Sequence, residues 1–159
     1  MTYRKPLPQI EKANEPFWEG LAAGEFRVPK CDNCGHYNWV PFPACRSCLN
    51  EAQTWTAVSG DATVWSFSVV HRGPGAFNEE VPYAVVLAKL AEEPRGCIVI
   101  GNTVGIDPAD LYVGMPLRIV FETIEGEDVT VFRFAAADAA LPDDADAALS
   151  VENQPATVA

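Results

Sequence analysis

Four of the five cysteines in this chain fall in two C-x-x-C pairs, Cys31/Cys34 and Cys45/Cys48, inside the stretch CDNCGHYNWVPFPACRSC. Thiolates are soft, tight-binding metal ligands, and each C-x-x-C turn presents two sulfurs to one ion, so two turns supply a complete tetrahedron. Gly35 follows the first pair and suits a tight knuckle, because glycine enters positive φ without a side-chain clash. Leu49 and Asn50 follow the second pair and match that geometry less well.

Several chemistries compete for this constellation. A structural zinc ribbon fills every coordination position with protein and leaves none for water or substrate, whereas a catalytic zinc site keeps one open. Opening this site would require His36 to exchange with a thiolate, and a histidine beside four thiolates reads more simply as a surface or supporting residue. A thioredoxin-like dithiol needs its pair at the strand-to-helix junction of a βαβ unit, which the flanking sequence does not supply. Iron accepts the same four sulfurs, so the pattern leaves zinc and iron both open. The adopted reading is a structural clamp. Cys97 lies in the apolar run Cys97-Ile98-Val99-Ile100 and reads as a small buried hydrophobe.

Other chemistry is sparse. The chain has two histidines, His36 and His71, neither with a nucleophile nearby in sequence. It contains no nucleophile elbow, P-loop, dinucleotide-type glycine loop or H-E-x-x-H. This favours a binding module over an enzyme.

Before the cysteines, NEPFWEGLAAG predicts a short helix with Asn14 as its cap, Pro16 in the first turn, Phe17, Trp18 and Leu21 near helical spacing, and Gly24 as its stop. After them the pattern turns to strands. DATVWSFSVVHR, YAVVLAKLA, RGCIVIGNTV, MPLRIVFETI and DVTVFRFAAA alternate or run apolar with β-branched and aromatic residues. GIDPADLYVG, between the third and fourth, reads as one helical turn capped by Asp107 with Pro108 at its first position. Five strands with a helical element after the third is the chain order of an OB-fold. The expected architecture is mainly β: a helical segment over 1–26, a zinc ribbon over 27–54, a five-stranded OB-fold barrel over 55–137, and an acidic tail over 138–159 with the composition of disorder.

The net charge of −11 is uneven: residues 1–50 sum to +1 and residues 51–159 to −12. Phosphate backbones require the opposite sign, so a single-stranded nucleic-acid module, which ribbon plus OB-fold suggests by architecture, is disfavoured. No apolar run approaches the roughly 20 residues of a membrane helix. Prolines and charges interrupt the start, so no signal-peptide core is read there, and the cytoplasm, where thiols stay reduced, is the expected compartment.

The leading PFWEGLAAGEFRVPKC, the four-cysteine set, GDATVWSFSVVHR with its PGAFNEEVPYAVVLAKL continuation, and IGNTVGIDPADLYVGMPLRIVFE agree in order and spacing with one family. Over roughly residues 16–135 the chain resembles DUF35 proteins, which pair a rubredoxin-like zinc ribbon with a C-terminal OB-fold. The resemblance implies a non-catalytic accessory subunit, a hetero-oligomer with a thiolase-like enzyme (thiolase, lipid-transfer-protein-type aldolase or acyltransferase) of lipid or steroid metabolism. There it helps complete the acyl-CoA site. A MaoC-like enoyl-CoA hydratase is the alternative partner. The chain lacks the hydratase domain of fused family members, which implies an enzyme on another polypeptide.

The resemblance directs attention to contact residues. The turn-rich loop from His71 to Tyr83 carries His71, Arg72, Phe77 and Tyr83 and is expected to lie against the partner near the acyl-CoA entrance. Its alternative is an ordinary solvated loop with one aromatic anchor. Arg72 and Arg95, rare cations in an acidic body, either meet CoA phosphates or pair with local carboxylates, and Lys30 and Arg46 face the same choice. Trp18, Trp39 and Phe42 are either interface anchors or the small core that a ribbon needs. On this reading the metal fixes an arm that docks the barrel onto its enzyme.

Overall fold

The computed structural model describes residues 3–93 and 96–139. Arg95 and nearly all of the acidic tail lie outside the described residues. Helix α1 (Glu15–Ala22) buries Phe17, Gly20 and Leu21 and ends before Gly24, whose φ of 72° favours glycine. Asn14 is the N-cap by position, but its side chain does not cap α1. Its Oδ1 instead accepts the Glu11 N–H behind it (2.8 Å), and its amide donates to the Gln9 carbonyl (3.2 Å), which fastens the incoming chain rather than the helix.

Strands β1 (Phe26–Cys31) and β2 (Gln53–Val58) form an antiparallel pair running from Phe26↔Val58 to Cys31↔Gln53. The cysteine loops lie between them. This sheet crosses the 54/55 boundary expected from sequence.

The second sheet contains β3 (Asp61–Val70), β4 (Tyr83–Leu90), β5 (Ile98–Asn102), β6 (Pro116–Thr123) and β7 (Thr130–Ala136) in the order β5-β4-β3-β6-β7. A parallel bridge, Thr103↔Phe134, and the bond from Val104 N–H to the Phe134 carbonyl (2.9 Å) bring the two outer ends together. The result is a nearly closed five-stranded OB-fold barrel, as the strand pattern predicts. Gly101 allows this closure: a Cβ there would sit 2.9 Å from the Phe134 ring and 3.0 Å from the Phe132 ring. The expected turn after β5 is a 3-10 helix, Pro108–Asp110, with Asp107 Oδ1 accepting the Ala109 N–H at 2.8 Å.

Alternation is cleanest in β4, where Ala84, Val86, Ala88 and Leu90 are buried and the residues between them half-buried. In β3 the alternation holds from Asp61 to Trp65, which leaves Trp65 on the outward face, and a bulge between Val64 and Ser66 breaks it thereafter, so that Phe67 packs against the core. One continuous core joins helix, ribbon and barrel. Phe26 at the start of β1 packs its ring 5.3 Å from Phe17, 5.5 Å from Trp39 and 4.9 Å from Phe132. Among the described residues no helix is long and apolar enough to cross a membrane.

Candidate metal centre

The two cysteine loops are near-copies of one another. In the first, Gly35 N–H donates to the Cys31 carbonyl (2.9 Å) and Cys31 N–H to the His36 carbonyl (2.9 Å); in the second, Leu49 N–H donates to the Cys45 carbonyl (2.8 Å) and Cys45 N–H to the Asn50 carbonyl (2.8 Å). Gly35 and Leu49 hold the same place, at φ 70° and 62°. The weaker match at Leu49 therefore does not alter the knuckle; leucine takes the left-handed conformation at a cost. An L-residue there carries roughly 1–2 kcal/mol of strain, of which glycine's greater unfolded-state entropy would return about 0.5–1. Because Leu49 is 79% exposed, its side chain adds little packing. Leu49→Gly is expected to raise the thermal midpoint of the metal-loaded protein by the equivalent of up to about 1 kcal/mol, and Gly35→Ala to lower it, in matched melting curves.

All four Sγ atoms lie within 4.8 Å of one another, with Cys31–Cys48 at 3.5 Å and Cys34–Cys45 at 3.7 Å. A tetrahedron with metal–sulfur bonds of about 2.3 Å has edges of about 3.8 Å, whereas a disulfide would need about 2.05 Å. The four cysteines are thus positioned to bind a metal, and the same edge serves iron as well as zinc.

The thiols divide sharply. Burial opposes ionisation of Cys45, but the N–H groups of Ser47 and Cys48 and the Asn38 amide outweigh it and draw its pKa down to about 6. Cys48 is also lowered, first by the Asn50 N–H and then by the Asn33 amide, whose Nδ2 lies 3.6 Å from its Sγ. For Cys31 the Cys34 N–H favours the thiolate, yet burial and the bonds shared with Cys48 and Cys34 push it up to about 11. Four negative charges cannot share so small a volume unaided, and a dication would offset half of them. Cys97, as expected, is a buried hydrophobe, pushed up to about 12 by burial and by Glu93 and Glu92.

Asn38 was not legible as a site residue. Its side chain is buried, donating Nδ2 to Gln53 Oε1 (2.8 Å) and to the His36 carbonyl (3.3 Å) while Oδ1 accepts Arg46 N–H (3.0 Å). One amide thereby ties the first knuckle, the second knuckle and β2 together. Asparagine is not a thiolate-type ligand, so the spacing rule that finds the cysteines passes over it. His36 is not exposed either: it faces the buried carboxylate of Glu93.

The remaining candidates scatter. Trp18 and Trp39, both half-buried, pack on Phe17 at ring distances of 5.2 and 5.1 Å at the margin of the core. Lys30 lies over the Tyr37 ring (5.2 Å) and Arg46 over the Phe42 ring (4.0 Å). The loop after β3 contains a 3-10 helix, Gly75–Glu79; His71 and Arg72 are exposed, and the half-buried Phe77 and Tyr83 rings are 6.3 Å apart. The chain entering from Tyr3 straps this loop, through Arg4–Glu79 (2.7 Å), Lys5–Glu80 and Lys5 over the Phe77 ring (5.3 Å). Beneath the strap, between Phe77, Asn102 and Phe132, is a cavity of about 140 Å³, well short of the roughly 300 Å³ at which small-molecule sites begin.

Residues 18–52 match the family described as the ChsH2 rubredoxin-like zinc ribbon domain, and residues 55–122 the ChsH2 C-terminal OB-fold domain. A DUF35 domain-containing scaffold protein of Methanocaldococcus jannaschii is 31% identical over 102 residues, covering 62% of this chain and 70% of the relative. The 3-oxo-4,17-pregnadiene-20-carboxyl-CoA hydratase alpha subunit of Mycobacterium tuberculosis is 33% identical over 114 residues, covering 72% of this chain and 35% of that subunit. Among solved structures, a chain of an Ltp2-ChsH2(DUF35) aldolase superposes with a TM-score of 0.70 at 27% identity, over 82% of this chain and 99% of that one.

Proposed function

The chain belongs to the DUF35 family, and on that premise we propose that it is a non-catalytic accessory subunit of an acyl-CoA enzyme, docked on a thiolase-fold partner of the aldolase type. The observation that carries this reading is an apolar band across the outside of the barrel. Trp65, on the outward face of β3, is 58% exposed; Leu87 lies opposite Ser66 on β4, and Ile100, opposite Leu87 on β5, is more than half exposed. On the other side of Trp65, bonds between Val64 and the Gly114–Met115 backbone (2.7 and 2.9 Å) bring up the turn that carries the exposed Tyr112 and Val113. Single exposed hydrophobes are ordinary, but a contiguous band on a rigid sheet marks an interaction surface.

The partner's matching face would be apolar and ringed by Lys and Arg, since residues 51–159 of this chain sum to −12. Support for its class comes from the aldolase complex, whose DUF35 chain this one covers almost completely. The closed thiolate set, read as structural zinc, leaves no position for substrate chemistry. Acyl-CoA would then be bound at a site shared with the enzyme, with His71, Arg72, Phe77 and Tyr83 along its rim. A second reading, a MaoC-like hydratase partner, is favoured by the hydratase alpha-subunit relatives; the chain spans just over a third of their length.

Co-expression with a thiolase-fold subunit and, separately, with a hydratase subunit distinguishes the two by which forms a stable complex. Recovery as a lone monomer with its own turnover would overturn both. Within the complex, Trp65→Asp is expected to weaken binding at least about 30-fold in Kd, the scale of an aromatic hot spot, while metal content and circular dichroism stay unchanged.

A further inference from the structure

The turn between β4 and β5 carries two consecutive acids, and both reach away from the barrel. Glu92 Oε1 accepts Ser59 N–H (2.5 Å) just beyond the end of β2. Glu93, only 2% exposed, accepts Tyr37 N–H through Oε2 (3.0 Å), three residues past the second ligand of the first knuckle. The same oxygen lies 3.0 Å from His36 Nδ1, off the line of a hydrogen bond. A buried carboxylate is costly unless its oxygens are satisfied, and it contributes position more than net stability. Here what it positions is the backbone that closes the knuckle: the His36 carbonyl, one residue before Tyr37, accepts Cys31 N–H.

We infer that Glu93 is a positioning residue for the ribbon's metal site, contributed by the barrel, so that metal binding and the order of the β4–β5 turn are thermodynamically coupled. The turn is built to respond, since Glu93 also closes it through the bond from Gly96 N–H to the Glu93 carbonyl (2.9 Å), with Leu90 N–H to the Cys97 carbonyl (3.0 Å) behind it. Coupling is reciprocal: if metal orders the contact between Tyr37 N–H and the Glu93 side chain, loss of that contact weakens metal binding. Supporting partners of metal ligands typically contribute 10- to 100-fold in affinity.

This rests on the metal reading of the four cysteines, and the experiment separates the two. Zinc affinity of the full chain is measured by competition with a chromophoric chelator. Glu93→Ala is expected to bind at least tenfold more weakly, while Glu93→Gln, which keeps an acceptor for Tyr37 N–H, should stay within about threefold of wild type. Glu93→Ala within twofold of wild type, or Glu93→Gln as weak as Glu93→Ala, overturns the coupling. Failure of the wild type to bind zinc at all overturns the metal reading beneath it. Should Glu93→Ala not fold, amide exchange of the wild type decides. Chelation is expected to accelerate exchange at Tyr37, Glu93, Gly96 and Cys97 together while Ile119 and Phe134 keep their protection, and unchanged exchange at Glu93, Gly96 and Cys97 refutes the coupling.

Discussion

Cys45→Ser is expected to reduce bound metal from one ion per chain to less than about a tenth and to unfold the ribbon while leaving the barrel intact. Cys45 is fully buried, pairs with Cys34 across the cluster, and has its Sγ 3.4 Å from the Ser47 N–H. A serine hydroxyl does not ionise as readily and is a poor soft-metal ligand, so one corner of the tetrahedron is lost. Structural zinc in small modules is bound with roughly 10–16 kcal/mol of apparent free energy near neutral pH, which is folding free energy for the segment it organises. Without it, the loops between Cys31 and Asn50 are held by scattered hydrogen bonds such as the Asn38 network, Tyr37 N–H to Glu93 and Gln53 Nε2 to the Phe42 carbonyl. Elemental analysis reports the metal, and a stoichiometric iron signal in the wild type would replace zinc in the proposal. Amide exchange should show residues 31–50 losing protection before β6 and β7. Partner binding should weaken in step, because the exposed Val40, Phe42 and Leu49 sit on these loops. Full metal retention by Cys45→Ser would overturn the four-thiolate site.

Phe26→Ala is expected to be the most damaging substitution outside the cysteines. Its ring is about 1% exposed and sits where α1 (Phe17), the ribbon (Trp39) and the barrel (Phe132) meet. Truncating a buried phenylalanine costs about 3–5 kcal/mol, through lost transfer energy and the cavity left behind. A domain of this size has about 5–15 kcal/mol in total, so the thermal midpoint should fall on the order of 10 °C. Phe42→Ala is the control, because Phe42 is 41% exposed and meets chiefly the Arg46 guanidinium; its cost should stay below about 1 kcal/mol. Denaturant titration of both variants measures the difference, and a Phe26→Ala loss under about 1 kcal/mol would show that the three units do not share a core.

The cysteine set, the five barrel strands and the Asp107–Pro108 turn were legible because each is written in neighbouring residues. A C-x-x-C pair names its ligands outright, and YAVVLAKL alternates with the pleat it forms. Asp107 caps its own turn two residues away. Even there, local rules had limits: Asn14 stands at the cap position, but its oxygen bonds backward to Glu11.

The tryptophans mark the boundary. Trp18 and Trp39 invite an interface reading, and DATVWSFSVV hides Trp65 within an apparent alternation. Packing sets the first two, half-buried, against Phe17 and leaves the third exposed on the outward face of β3. Glu93 and Tyr37 are 56 residues apart, so their bond has no trace in either local sequence. By itself, then, the sequence determined which four cysteines could hold a metal, the succession of strands along the chain and the family. Only the tertiary structure decided which aromatic faces solvent, which amide braces the knuckles and which barrel carboxylate closes on the ribbon. Ligand type and strand period are properties of adjacent residues, whereas burial and long-range hydrogen bonding exist only once distant segments have been brought together.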